Sequence, residues 1–159
     1  MIRAAGEADA AAVAALINAI NSLDRGAPDL PMTEAVVRRD LLGPQPKAML
    51  RVAEHQGRVA GFATAGLVYD AERSAWALML LDLYVAPEAR RRGLARALMA
   101  RLAAEALRQH AACLWWGVDE GDAEATLFYR AIGARSEGRF SGELLDGAAL
   151  RRLAAEHAA

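Results

Sequence analysis

The chain is poor in cysteine: Cys113 is the only one in 159 residues. An internal disulfide and a cysteine-rich metal site are both excluded. Cys113 lies in the apolar run Cys113-Leu114-Trp115-Trp116 and reads as a packing residue. The three histidines, His55, His110 and His157, have no metal-ligand spacing, so no metal is expected. No window approaches 18 uninterrupted apolar residues, and the N-terminus has no charged-then-apolar export pattern. A cytoplasmic protein with no membrane partner is therefore expected. Net charge is also scarce, at −1, which argues against a protein built to coat nucleic acid.

What remains is globular composition, 55% hydrophobic and 25% charged, and a length suited to one domain over residues 1–159. The charge is unevenly placed. Residues 88–101 carry five arginines against one glutamate, so the rest of the chain is net acidic. The core of the cluster is Arg90-Arg91-Arg92-Gly93-Leu94-Ala95-Arg96. It falls between an apolar run read as a strand (78–85) and an amphipathic run read as a helix (93–109). A helix start presents unpaired N–H groups and the positive end of the peptide dipole, so arginines there are misplaced. An anion docking on those N–H groups explains them. Gly93 and the small Ala95 permit close approach to the backbone.

The remaining pattern predicts a strand at 1–4, a helix at 9–20, a loop at 22–31, and a helix at 33–42 capped by Thr33 and stopped by Gly43-Pro44. Strands at 49–54 and 59–68 around the turn His55-Gln56-Gly57-Arg58 form a hairpin. After the central helix, 111–118 reads as a strand parallel to 78–85 through a right-handed crossover. A helix at 123–132 ends at Gly133; a last strand at 140–145 and a short helix at 148–157 close the chain. Asp82 is the only polar side chain in 78–85. Simple alternation places it on one face with Leu80 and Tyr84. A carboxylate there is paired, wet or functional, and an arginine partner is the plain alternative to a role in catalysis.

Two motifs stand in a telling order. Arg90-Arg91-Arg92-Gly93-Leu94-Ala95 resembles the acetyl-coenzyme A signature of the GNAT superfamily of N-acetyltransferases, Gln/Arg-x-x-Gly-x-Gly/Ala. The stretch Ala125-Thr126-Leu127-Phe128-Tyr129-Arg130-Ala131-Ile132-Gly133-Ala134 resembles that family's second motif. The resemblance implies an α+β fold: a single twisted mixed β-sheet flanked by helices, with two splayed parallel central strands. It implies acetyl-CoA as cosubstrate and direct attack of a primary amine on the thioester. Backbone donors from Arg91 to Arg96 would hold the pyrophosphate, with side-chain contacts from Arg90, Arg91 or Arg92. Unpaired backbone groups of Leu83, Tyr84 and Val85 would meet the pantetheine and the acetyl carbonyl. Asp122 stands where the superfamily often has a cofactor-bonding asparagine, and Ala125 opens the second motif.

Tyr129 matches the tyrosine often used as general acid, although Leu127, Phe128 and Ile132 around it also call for packing. Asp82 would bind or deprotonate the amine. Asp24, Asp29, Asp70 and Glu72 lie in loops within reach of an amine site, and the plain reading of each is a solvated surface acid rather than a ligand. Leu81-Asp82-Leu83-Tyr84-Val85 resembles the spermidine/spermine and thialysine acetyltransferase group, with Leu81 where that group has glutamate. A small-molecule amine acceptor and a homodimer follow by analogy. The alternatives are a CoA-binding module without catalysis and a protein lysine or N-terminal acetyltransferase. A nucleic-acid ligand ranks low because no second basic cluster continues the track.

Overall fold

The structure is a computed structural model and describes residues 1–23, 26, 29–138 and 140–157. Asp24, within the predicted loop 22–31, lies outside the described residues. The chain divides into two compact units, Met1–Glu120 and Gly121–Ala159.

The first unit is built on a sheet in the order β1-β2-β3-β4-β5. Its strands are β1 (Ile2–Ala4), β2 (Met49–His55), β3 (Arg58–Asp70), β4 (Ala75–Val85) and β5 (Cys113–Trp115). The first four are antiparallel neighbours, and β5 runs parallel to β4. The predicted hairpin forms: Gln56 and Gly57 both take positive φ, as a two-residue turn between twisted strands requires. Strand β4 starts three residues earlier than the apolar run suggested, because Tyr69 and Trp76 pair across β3–β4 with their rings edge-on at 5.5 Å. The parallel strand is far shorter than 111–118. Pairing with β4 covers only Ala77↔Cys113, Leu78↔Leu114 and Met79↔Trp115.

Helix α1 (Ala10–Asn21) follows a single 3-10 turn, and α2 (Glu34–Asp40) is capped by Thr33, whose hydroxyl accepts from the Val36 N–H. Val13 and Ile17 of α1 and Val37 of α2 share a buried cluster with Leu50, Val52, Phe62 and Tyr84 of the sheet. Burial of each such large side chain is worth about 1.5–3 kcal/mol, so this cluster anchors that face. Arg51 lies between Leu50 and Val52 and so points to the opposite face. There it meets Glu105 of α3 (Leu94–Arg108), which places α3 on that second face. Leu98 and Leu102 of α3 are fully buried. The apolar stripe read from the sequence is thus its packing face.

The second unit contains α4 (Ala123–Ala131) and α5 (Gly147–Glu156). Gly133, at φ +94°, ends α4. The strand expected at 140–145 does not form. Phe140, Leu144 and Leu145 are exposed and join no ladder. Apolar spacing alone does not make a strand. Among the described residues no helix is long and apolar enough to cross a membrane, and none group as a metal site.

Glu105 is the one deeply buried acid on the α3 face, at 5% exposure. It accepts from Arg108, from Gln109 Nε2 at 2.8 Å, and from Arg51 Nη2 at 3.4 Å. The Arg108 hydrogen bond, outweighing burial, holds its carboxyl down at about 2 from an ordinary 4.5. The folded state therefore favours the ionised form. Its contribution, on the order of 2 kcal/mol, is complete above the unfolded value and lost as pH falls from about 4.5 toward 2. Denaturant midpoints measured across that window should fall with pH for the native chain. The Glu105→Gln variant should show a shallower decline over the same window.

Candidate active site

The arginine loop is shaped by its backbone before its side chains matter. A short 3-10 turn, Pro87–Ala89, leads out of β4, and Arg91 then takes the left-handed conformation at φ +59°. Such a conformation costs a non-glycine residue on the order of 1 kcal/mol and marks a constrained turn. Gly93 follows at φ +76° as the N-terminal flank of α3, where a glycine carries no such penalty. It has no side chain to cap the helix, and the first turn of α3 contains no acidic residue. The Ala97 N–H bonds to the Gly93 carbonyl at 2.9 Å. The N–H groups of the residues before Ala97 precede the first intrahelical acceptor. This is the electropositive helix start expected from the sequence, with Leu94 and Ala95 half-buried and Arg91, Arg92 and Arg96 at the surface.

Arg90 has a different task. Its Nε donates to the Val85 carbonyl at 3.1 Å, and its guanidinium lies 5.8 Å from the centre of the Tyr84 ring. It therefore ties the loop to the end of β4.

The end of β4 is asymmetric. Ala86 N–H donates to the Ala60 carbonyl at 2.8 Å, so by antiparallel alternation Tyr84 also turns its backbone groups toward β3. Leu83 and Val85 turn theirs the other way, where the ladder with β5 has already stopped at Met79. The three-residue expectation is corrected here. Tyr84 is paired with Phe62 and its ring is buried against it at 6.5 Å. Leu83, and the N–H of Val85, have no strand partner on the β5 side. Gly61 fits this crossing closely: a Cβ there would lie 2.8 Å from the Tyr84 carbonyl oxygen.

A bulge interrupts the same strand. Thr64 pairs with Asp82 and Ala65 with Leu80, leaving Leu81 as the extra residue at 52% exposure. Neighbours Thr64 and Ala65 point to opposite faces, so Leu80 is not on the face of Asp82 and Tyr84. Simple alternation failed because an inserted residue shifts the register by one. Among the described residues no arginine pairs with Asp82. The Thr64 hydroxyl donates to Asp82 Oδ2 at 2.5 Å. The sequence reading passed over Thr64, though it is the only polar side chain from Val59 to Val68 and that isolation was a visible signal. Among the loop acids, Asp70 is held by Arg73, whose backbone N–H and guanidinium both bond it and lower its pKa. Asp29 and Glu72 are exposed.

In the second unit, Asp122 caps α4: its Oδ1 accepts from the Ala125 N–H at 2.9 Å, and its carbonyl accepts from the Thr126 hydroxyl at 2.8 Å. The carboxylate thus already has a local structural role. Tyr129 is half-buried and packs against Phe128 with ring centres 5.2 Å apart. Leu127, expected to pack, is exposed. Burial, and secondarily the charge of Asp122, raise the phenol pKa above its ordinary value. The hydroxyl is therefore a protonated donor at neutral pH.

Residues 15–134 match the acetyltransferase (GNAT) family, and the chain belongs to that family. The match spans the arginine loop, the open end of β4 and α4. A curated relative is the uncharacterized N-acetyltransferase YhfO of Bacillus subtilis (strain 168), 28% identical over 87% of this chain and 92% of its own length. Among solved structures, an integron cassette protein from the mobile metagenome of V. cholerae superposes with a TM-score of 0.79. It is 22% identical and covers 97% of this chain and 96% of its own. An aminoglycoside acetyltransferase, meta-AAC0020, from an uncultured soil metagenomic sample superposes at 0.72, with 18% identity over 91% and 93%. These structures share the fold, a mixed sheet with flanking helices.

Replacing Asp122 by Ala removes the cap of α4 and should lower stability by about 1 kcal/mol. A thermal scan should show a loss of about 2–4 °C for a chain of this size. Asp122→Asn keeps the capping oxygen and should stay near the native midpoint.

Proposed function

We propose that this chain is an acetyl-CoA-dependent N-acetyltransferase acting on a small primary amine, with residues 1–159 working as one catalytic domain. The observation that carries the reading is the pairing of two unfilled donor sets in one unit. One is the edge of β4 at Leu83 and Val85; the other is the helix start at Leu94 and Ala95. They suit the two ends of a coenzyme A molecule, an amide-bearing arm and a pyrophosphate. When bound, the cosubstrate supplies an acetyl group activated as a thioester.

The residues divide the work. Backbone N–H groups from Arg91 to Arg96 hold the pyrophosphate, with the exposed guanidiniums of Arg91 and Arg92 adding charge. The N–H groups of Leu83 and Val85 take the arm and polarise the acetyl carbonyl, a contribution that grows as negative charge develops on its oxygen. Asp82, on the neighbouring face of β4, holds the incoming amine. Tyr129 Oη gives its proton to the sulfur that departs; this assignment rests on the likeness of the motif around it. The acceptor class follows from the likeness of Leu81-Asp82-Leu83-Tyr84-Val85 to the polyamine and thialysine acetyltransferases. Because Leu81 stands at the bulge in place of an acid, Asp82 is the carboxylate that remains for a cation. A cytoplasmic homodimer completes the proposal on the same likeness.

Titration calorimetry with acetyl-CoA tests the cosubstrate: micromolar binding is expected, and absence of heat overturns the reading. In a thiol-release assay over diamines, aminoglycosides, amino acids and lysine peptides, Tyr129→Phe should lower kcat by about 100-fold. Its affinity for acetyl-CoA should stay unchanged. An unaltered kcat removes Tyr129 from the mechanism.

A further inference from the structure

We propose that Thr64 is a positioning residue for the acceptor: its buried hydroxyl holds one oxygen of Asp82 and leaves the other to receive the ammonium. The inference rests on the transferase reading and names the device that orients its amine-binding acid.

Thr64 sits in the middle of β3 at 4% exposure, between Phe62, Ala63 and Ala65, all fully buried. Valine has nearly the same shape and would fill the position without a polar atom to satisfy. A hydroxyl in such surroundings costs stability unless it is hydrogen-bonded. Here it bonds across the strand pair to Asp82 Oδ2. The two residues stand directly opposite one another at the bulge, where the register shift brings Asp82 onto the face that Thr64 already occupies. Without that shift the carboxylate would lie on the α3 face.

The bond uses only one carboxylate oxygen. Among the described residues no arginine, lysine or histidine pairs with Asp82, which is half-exposed. Other acids of this unit are differently placed. Asp9 is neutralised by Arg3, Glu105 by Arg51 and Arg108, and Asp70 by Arg73. Asp82 is thus a carboxylate with a fixed orientation, a neutral partner and an open oxygen. A neutral donor orients the group without cancelling its charge, which is the condition for binding a substrate cation. An arginine in place of Thr64 would have consumed that charge.

The test uses the full chain and the amine that turns over best in a panel of spermidine, putrescine, an aminoglycoside, free lysine and a lysine peptide. Thr64→Val should keep the thermal midpoint close to native and leave acetyl-CoA affinity by calorimetry unchanged. Its kcat/KM for the amine should fall about 10-fold or more, the scale of a lost hydrogen bond to a charged group. Thr64→Ser, which restores the hydroxyl, should recover most of that loss. In an Asp82→Asn background Thr64→Val should cause little further loss, because the group it orients is gone. Equal kcat/KM for Thr64→Val and the native chain overturns the positioning role. So does full additivity of the two substitutions. Acetyl-CoA binding without turnover of any amine overturns the transferase reading itself, and the inference with it.

Discussion

A β-strand has two hydrogen-bonding edges, and the far end of β4 fills only one of them. One edge is paired to β3 up to Val85. The other is paired to β5 for three residues and then left. Backbone N–H groups demand partners, so a half-paired strand end and a helix start without a side-chain cap are the two places in this unit where the backbone offers donors. The rest of the first unit supports that arrangement. Arg90 pins the loop to Val85, Gly61 lets β3 run close beneath Tyr84, and α1 and α2 pack one face of the sheet while α3 packs the other.

The bulge at Leu81 joins the architecture to the chemistry. One additional residue moves Leu81 to the surface and brings Asp82 opposite Thr64. The same carboxylate one register away would be an uncompensated charge against α3. At that face the chain already accommodates one buried acid, Glu105, and surrounds it with Arg51, Arg108 and Gln109. The contrast is physical: Glu105 is paired with cations, whereas Asp82 accepts from a neutral hydroxyl.

Much of this was legible beforehand. The four-residue spacing of Leu94, Leu98 and Leu102 along one helical face marked α3, and the Gly57 turn marked the first hairpin. The clustering of arginines around Gly93 marked the helix start, because charge of that sign has no local reason to be there. The length of β5 was not legible, since an apolar run such as Cys113-Leu114-Trp115-Trp116 looks the same whether or not a neighbour pairs with it. The strand expected at 140–145 failed for the converse reason, an apolar pattern without an edge to join. Asp122 was read only against the family's cofactor-bonding asparagine, and its capping of α4 through the Ala125 N–H was not foreseen.

The sequence by itself determined most of the elements, though not the length of β5 or the fate of 140–145, and the position of the electropositive turn, because periodicity, glycine placement and charge are local properties. The tertiary structure decided which backbone groups remain unpaired at Leu83 and Val85, which face Asp82 occupies, and that its partner is a threonine. Those depend on register between strands distant in the chain, and a single inserted residue reverses a face without altering composition or spacing.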